Sequence, residues 1–96
     1  MIGRTGRRDR VTLMVYFSSP EVWELLQRVV GSGSINKVPS WFPEYDYESH
    51  IPLPSSRKAE SIVEALKEAL PVFGITSFDI YRGEILDRKF ITFKTD

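Results

Sequence analysis

Cysteine is absent from the chain, and histidine occurs once in its 96 residues. Without a thiol the protein can form no disulfide, no cysteine-ligated zinc site and no thiol nucleophile. No apolar run approaches the roughly 20 residues that a membrane-spanning helix requires. The arginine-rich beginning is followed by a strand pattern and not by the apolar core of a signal peptide. We therefore expect a cytoplasmic protein that needs no cofactor.

Net charge is also absent, because 13 basic residues balance 13 acidic ones. This balance argues against a domain that coats nucleic acid with its whole surface. The charges are nevertheless segregated along the chain, since residues 1–10 carry four arginines against one aspartate. Residues 1–10 are predicted to be a flexible basic arm. Residues 11–96, with a hydrophobic content of 42% for the whole chain, are predicted to form one domain.

The basic arm contains the stretch Ile2-Gly3-Arg4-Thr5-Gly6-Arg7, which resembles the IGRTGR core of the sixth motif of DEAD-box helicases and their relatives. In that family the arginines of the motif contact nucleotide phosphates, and a strand follows. The resemblance covers six residues of 96. The chain has no GKT-type phosphate loop and no DExx-type acidic motif, so it would not bind and hydrolyse ATP alone.

Hydrophobic periodicity predicts the first half of a small α+β domain. Val11 to Phe17 alternates apolar and polar residues, which indicates a strand. A helix is predicted from the Ser19 cap to Val30, and a short strand from Ser34 to Val38. The stretch from Glu44 to Leu53 alternates again and is predicted to be a further strand.

The second half is predicted to contain a helix and a hairpin. Arg57 to about Leu70 has one apolar stripe typical of a packed helix. Ile75 to Leu86 and Lys89 to Thr95 read as strands joined by a turn at Asp87-Arg88, with Gly83 marking a bulge or a close approach of another backbone. This order predicts a ferredoxin-like β-α-β-β-α-β sandwich with an additional C-terminal hairpin strand, an antiparallel sheet and both helices on one face.

The segment from Val38 to Pro54 concentrates aromatic residues and prolines between the two helices. Aromatic side chains supply a large contact area at low entropic cost, and prolines restrict the loop that carries them. Met14 and Tyr16 would add to an exposed sheet face, which a second copy often buries. We expect a non-enzymatic binding and self-association module, a homodimer, with a partner surface in residues 39–50 formed by Trp41, Phe42, Tyr45 and Tyr47.

Two alternatives remain open. A nucleic-acid-binding protein would use the arginines of the arm and its border to hold phosphates, namely Arg4, Arg7, Arg8 and Arg10. The stretch KFITF at Lys89 to Phe93 also resembles the aromatic signature of RNA-recognition motifs, which implies base stacking on the sheet. A metal-dependent hydrolase would use four residues that recur at every second position, namely Glu44, Asp46, Glu48 and His50.

Overall fold

The computed structural model describes residues 10–31 and 35–96. They form a five-stranded sheet and two α-helices, with a 3₁₀ turn after the second helix. The strands are β1 (Val11–Phe17), β2 (Val38–Pro39), β3 (Tyr47–Leu53), β4 (Asp79–Ile85) and β5 (Arg88–Lys94), the helices are α1 (Pro20–Val30) and α2 (Ser56–Ala69), and the 3₁₀ turn is Leu70–Phe73.

The alternation in β1 decides which side of the sheet becomes the core. Its odd-numbered side chains, from Val11 to Phe17, are at most 4% exposed and face the helices. Val22 and Leu26 of α1 and Leu66 of α2 are fully buried against them. Each helix therefore buries one apolar stripe against the same sheet face, as the sequence predicts.

Both helices begin at serine caps. The Ser19 hydroxyl accepts the Glu21 N–H at 3.3 Å, and Pro20 occupies the first helical position, where it costs no hydrogen bond. The Ser55 hydroxyl accepts the Lys58 N–H at 3.1 Å at the start of α2. A side-chain oxygen thus satisfies one of the unpaired amides at each helix start, which fixes where the helix begins.

The strand order β2-β3-β1-β5-β4 corrects the predicted antiparallel sheet. β1 pairs antiparallel with β3 but parallel with β5, so the sheet is mixed. The half formed by β2, β3 and β1 matches the ferredoxin-like order, whereas β5 occupies the place next to β1 and displaces β4 to the edge. The strand predicted as a terminal addition is therefore an internal strand.

The hairpin between β4 and β5 turns one residue earlier than predicted, at Leu86 and Asp87 instead of Asp87 and Arg88. Both turn residues have positive φ angles, 50° for Leu86 and 67° for Asp87. A two-residue turn with positive φ at both positions matches the twist of the paired strands, and these positions are normally occupied by asparagine, aspartate or glycine. A leucine here is strained, because its Cβ crowds the backbone in the left-handed region.

Gly83 occupies a regular position in this hairpin, and the pairing with β5 runs unbroken on both sides of it. The predicted bulge is therefore wrong. A Cβ at Gly83 would lie 2.5 Å from the Phe90 ring, so the absent side chain leaves room for that ring across the strand. The close approach at Gly83 comes from an aromatic side chain and not from another backbone.

The strand predicted from Glu44 begins only at Tyr47. Residues before it form a turn in which the Tyr45 N–H donates to the Phe42 carbonyl at 3.2 Å.

In the described ranges, 10–31 and 35–96, no helix has the length and apolar character needed to cross a membrane.

Candidate functional site: the open face of the sheet

The helices cover one face of the sheet, and within residues 10–31 and 35–96 no helix or strand covers the other, here called the open face. The pairing register places even-numbered residues of β1, β3 and β5 and odd-numbered residues of β4 on this face. Met14, for example, is flanked by His50 on β3 and by Thr92 on β5, with Tyr81 beyond. The open face therefore combines aromatic, aliphatic and charged side chains.

One end of the open face is an aromatic cluster that the loop before β3 brings together. Phe42 packs edge-on against Tyr16 with ring centroids 5.1 Å apart, and Tyr45 lies 6.1 Å from the same ring. The Lys94 ammonium lies 4.5 Å from the Phe42 centroid and 5.4 Å from that of Tyr81. Cation–π contacts of this kind hold the lysine over the rings. Phe42, Tyr45 and Lys94 together cover Tyr16, which is only 7% exposed.

The cluster sits in a negatively charged neighbourhood. Burial raises the pKa of the Tyr45 hydroxyl, and the nearby charges of Asp79, Glu44 and Asp96 raise it further. These three carboxylates outnumber the single Lys94 ammonium. The end of the open face at Tyr45, here called the acidic end, is therefore net negative.

Toward the other end of the open face, the described residues leave apolar side chains exposed. The open-face patch consists of Met14, Tyr81, Ile85, Leu86 and Phe90, and exposure rises from 56% at Tyr81 through 62% at Ile85 to 90% at Leu86. A groove of about 600 Å³ runs along Met14, Ile85, Leu86 and Phe90, with Arg88 at its border. Exposed apolar surface that is concentrated in one place marks an interaction site more often than scattered residues do.

Basic side chains gather at the same end. Arg10, Arg88 and Lys89 line a second groove of about 480 Å³ beside the hairpin turn, together with Asp87. Arg88 of β5 is exposed at an open-face position, and the exposed Arg10 directly precedes β1. This end, here called the basic end, thus differs in charge from the aromatic cluster.

Glu48 anchors the loop that carries the aromatic residues. Its carboxylate accepts the Trp41 N–H at 2.7 Å and lies 2.7 Å from His50 Nε2. Burial raises the pKa of Glu48, but the Trp41 amide and the His50 ring outweigh burial and hold it below its usual value. The ionised carboxylate therefore fixes Trp41 beside β3, where the indole is 85% exposed.

The four aromatic residues predicted as one partner surface are divided between the two faces. Phe42 and Tyr45 lie against Tyr16 on the open face, and Trp41 is exposed to solvent. Tyr47 instead packs 5.8 Å from Phe17 on the helix side, with the Lys37 ammonium 4.4 Å from its ring. The turn before β3 contributes to this division, because an unbroken strand would have placed Tyr45 on the same face as Tyr47.

The four residues of the metal hypothesis do not converge. Within residues 10–31 and 35–96, no group of three or more histidine, aspartate or glutamate side chains could hold a metal ion. Glu48 is turned toward the Trp41 amide and His50, while Glu44 and Asp46 precede the strand. Ser49 points to the opposite face from His50, is fully buried and donates to the Asn36 carbonyl at 2.9 Å.

Three arginines of the nucleic-acid alternative, Arg4, Arg7 and Arg8, lie outside the described residues, as does the helicase-like stretch. Arg10 is described, and it lies at the basic end. The KFITF stretch forms most of β5, where Phe90 faces the open side but Phe93 is fully buried beneath it.

Sequence reasoning missed the open-face patch on β4 and β5. The signal that could have found it is the alternation of Tyr81, Gly83 and Ile85, which assigns these three residues to one face. This alternation becomes informative only once β5 is known to be internal.

No protein-family model, no curated protein and no solved structure matches the chain.

Proposed function

We propose that the protein is a non-enzymatic binding module that holds a segment of a protein partner on the open face of its sheet. The observation that carries this proposal is the exposure of Ile85 and Leu86 beside a groove that already contains Phe90 and Met14. Burying one such aliphatic side chain contributes about 1.5–3 kcal/mol. The patch therefore offers enough apolar area to anchor a short peptide.

The hairpin turn supports the same proposal. Leu86 has a φ of 50° and is 90% exposed, so in the part of the chain that the structure describes a leucine occupies a strained position without burial of its side chain. Backbone strain of this kind costs on the order of 1–3 kcal/mol and clusters at functional sites. An external contact to the Leu86 side chain would offset that cost.

The charge beside the groove defines the chemistry of the segment. Arg10 and Arg88 border the patch, and both are exposed. A segment with one or two aliphatic or aromatic anchors and flanking aspartate or glutamate would place apolar side chains on the patch and carboxylates against the guanidinium groups. The loop between β2 and β3, in which Trp41 is exposed, extends the surface beyond the groove.

A peptide-display selection against the full chain tests the proposal. Selected peptides should carry apolar anchors and acidic flanks, and Ile85→Glu should weaken their binding at least tenfold, because a carboxylate would replace an anchor contact. Val72→Glu is the matched control, since Val72 is 81% exposed on the 3₁₀ turn, outside the patch.

The control should change affinity less than twofold, and circular dichroism should show that both variants fold. Peptides that bind the Ile85→Glu variant as tightly as the unaltered chain would contradict the proposal. So would a selection that yields no binding peptide.

A second candidate function is the binding of single-stranded nucleic acid, favoured by Arg10 and Arg88 beside the open-face ring of Phe90, with Lys89 lining the same grooves. Basic side chains would hold phosphates, and the ring would stack on a base. Fluorescence anisotropy with a labelled oligonucleotide of about 20 nucleotides at low salt should then show binding that deletion of residues 1–10 and Arg88→Ala both weaken. Binding that neither change weakens would refute this role for the surface.

A further inference from the structure

The charge on the open face is separated along the strands. Asp79 occupies an open-face position at the start of β4, and its charge acts on Tyr45 together with those of Glu44 and Asp96, whereas Arg10 and Arg88 line the groove at the basic end. Asp79 and Arg88 lie near opposite ends of the hairpin, about 20 Å apart at a rise of about 3.3 Å per residue. That separation exceeds the Debye length of about 8 Å at physiological salt, so an approaching molecule meets each end as a distinct charge.

A face with one acidic and one basic end is complementary to a copy of itself turned end for end. The formal net charge of the chain is zero, so no overall repulsion opposes the approach of two copies. A twofold axis that lies between two stacked open faces and runs across the strands would bring the acidic end of each copy to the basic end of the other. An axis along the strands would instead place like charges together.

The size of the face sets the expected strength. The four seven-residue strands, spaced about 4.8 Å apart and about 23 Å long, present a face of roughly 450 Å², so two copies would bury about 900 Å² in total. Specific interfaces of that area are at the small end of their range. Met14 and Tyr81 would lie near its centre, and the exposed Ile85 and Leu86 of each copy would lie toward its two ends, against the aromatic cluster of the other copy.

We propose that the partner of the open face is a second copy of this chain, packed face to face with its strands reversed, so that the acidic end of each copy meets the basic end of the other. This inference rests on the proposed function and names its partner. It gives a weak, salt-sensitive homodimer, with Leu86 buried only in the dimer.

Two double substitutions separate this arrangement from other modes of association. Arg10→Glu with Arg88→Glu makes both ends acidic, and Glu44→Lys with Asp79→Lys makes both ends basic. All four residues are exposed, so the changes leave the core intact. Each variant alone would then place like charges together twice in the dimer.

Sedimentation equilibrium between 1 µM and 1 mM is the measurement. The unaltered chain should pass from 11.1 kDa toward twice that mass, and salt should weaken the association. Each double variant should form its homodimer at least tenfold more weakly than the unaltered chain. An equimolar mixture of the two double variants should form a heterodimer, which a fluorescent label on one of the two variants detects. Ile85→Glu should also weaken the homodimer at least tenfold, whereas Val72→Glu should not.

A single chain that remains at 11.1 kDa at 1 mM would overturn the inference, and so would double variants that associate as tightly as the unaltered chain. A mixture that forms no heterodimer would overturn the proposed arrangement of the ends. If the chain is monomeric but selected peptides still require Ile85, the second copy is the wrong partner and the binding function stands. If the peptides fail as well, the proposed function itself is wrong.

Discussion

Replacement of Phe93 by alanine should lower the free energy of unfolding by about 3–5 kcal/mol, because it leaves a large cavity in the centre of the core. Phe93 is fully buried, and its ring centroid lies 5.5 Å from that of Phe78. It pairs with Val15 on β1 and with Ile80 on β4, so it has sheet neighbours on both sides. Urea unfolding followed by circular dichroism measures the loss.

Phe90→Ala is the matched control, because Phe90 belongs to the same strand but faces the open side. It is only partly buried, and its ring covers Gly83 instead of filling the core. We expect this variant to lose less than about 1.5 kcal/mol, since water already reaches part of the ring. Equal losses for the two variants would contradict an internal position of β5 with its odd-numbered side chains in the core.

Replacement of Glu48 by alanine should cost about 1–3 kcal/mol, because the Trp41 amide would lose its acceptor in a partly buried position. The loop of residues 39–46 should then exchange its amide hydrogens faster, which hydrogen exchange with mass spectrometry detects. Glu64→Gln is a suitable control, since it removes only a surface ion pair of 3.4 Å with Lys67 and should cost less than about 0.5 kcal/mol.

Glu48 also gives the protein a defined acid sensitivity. Its pKa in the folded protein lies below the usual value of about 4.5, so the unfolded chain binds more protons between those two values. The stabilisation from Glu48 is therefore present above pH 4.5 and is lost as the pH falls through the folded pKa. In Glu48→Gln the unfolding free energy should fall less steeply over this interval. An unchanged slope would show that Glu48 does not carry the effect.

Local features of the fold could be predicted from the sequence. The bounds of β1 and the start of α1 agree with the structure because alternation, a serine cap and a following proline act over only a few residues. The buried face of each helix could be predicted in the same way, because a helix with one apolar stripe buries that stripe against the sheet. The α+β class follows from these elements alone.

The neighbours of β5 could not be predicted in the same way. Ile91 and Phe93 alternate with Thr92 in a manner that suits an edge strand and an internal strand alike, because pairing depends on residues far away in the sequence. The antiparallel prediction failed for this reason. It also hid the open-face patch, since Tyr81 and Ile85 acquire a common surface with Met14 only when β5 lies between β4 and β1.

The predicted grouping of acidic side chains on one strand face departs from the structure where Glu48 meets the loop that precedes it. Glu48 alternates with Asp46 and His50 in the sequence, which suggested a shared acidic face. The chain turns before Tyr47, however, and the Glu48 carboxylate is occupied by the Trp41 amide. Periodicity cannot reveal such a bond, because it depends on how a loop folds back over the strand that follows it.

The parallel ladder between β1 and β5 has a consequence for the order of folding. These strands lie near opposite ends of the sequence but are neighbours in the middle of the sheet, so their pairing requires the closure of a loop of nearly the whole chain. Contacts of such long range slow folding. During synthesis β1 can pair with β3 early, but its other edge stays unpaired until the hairpin has emerged. Until then that edge is the part of the molecule most prone to pair with a strand of another chain.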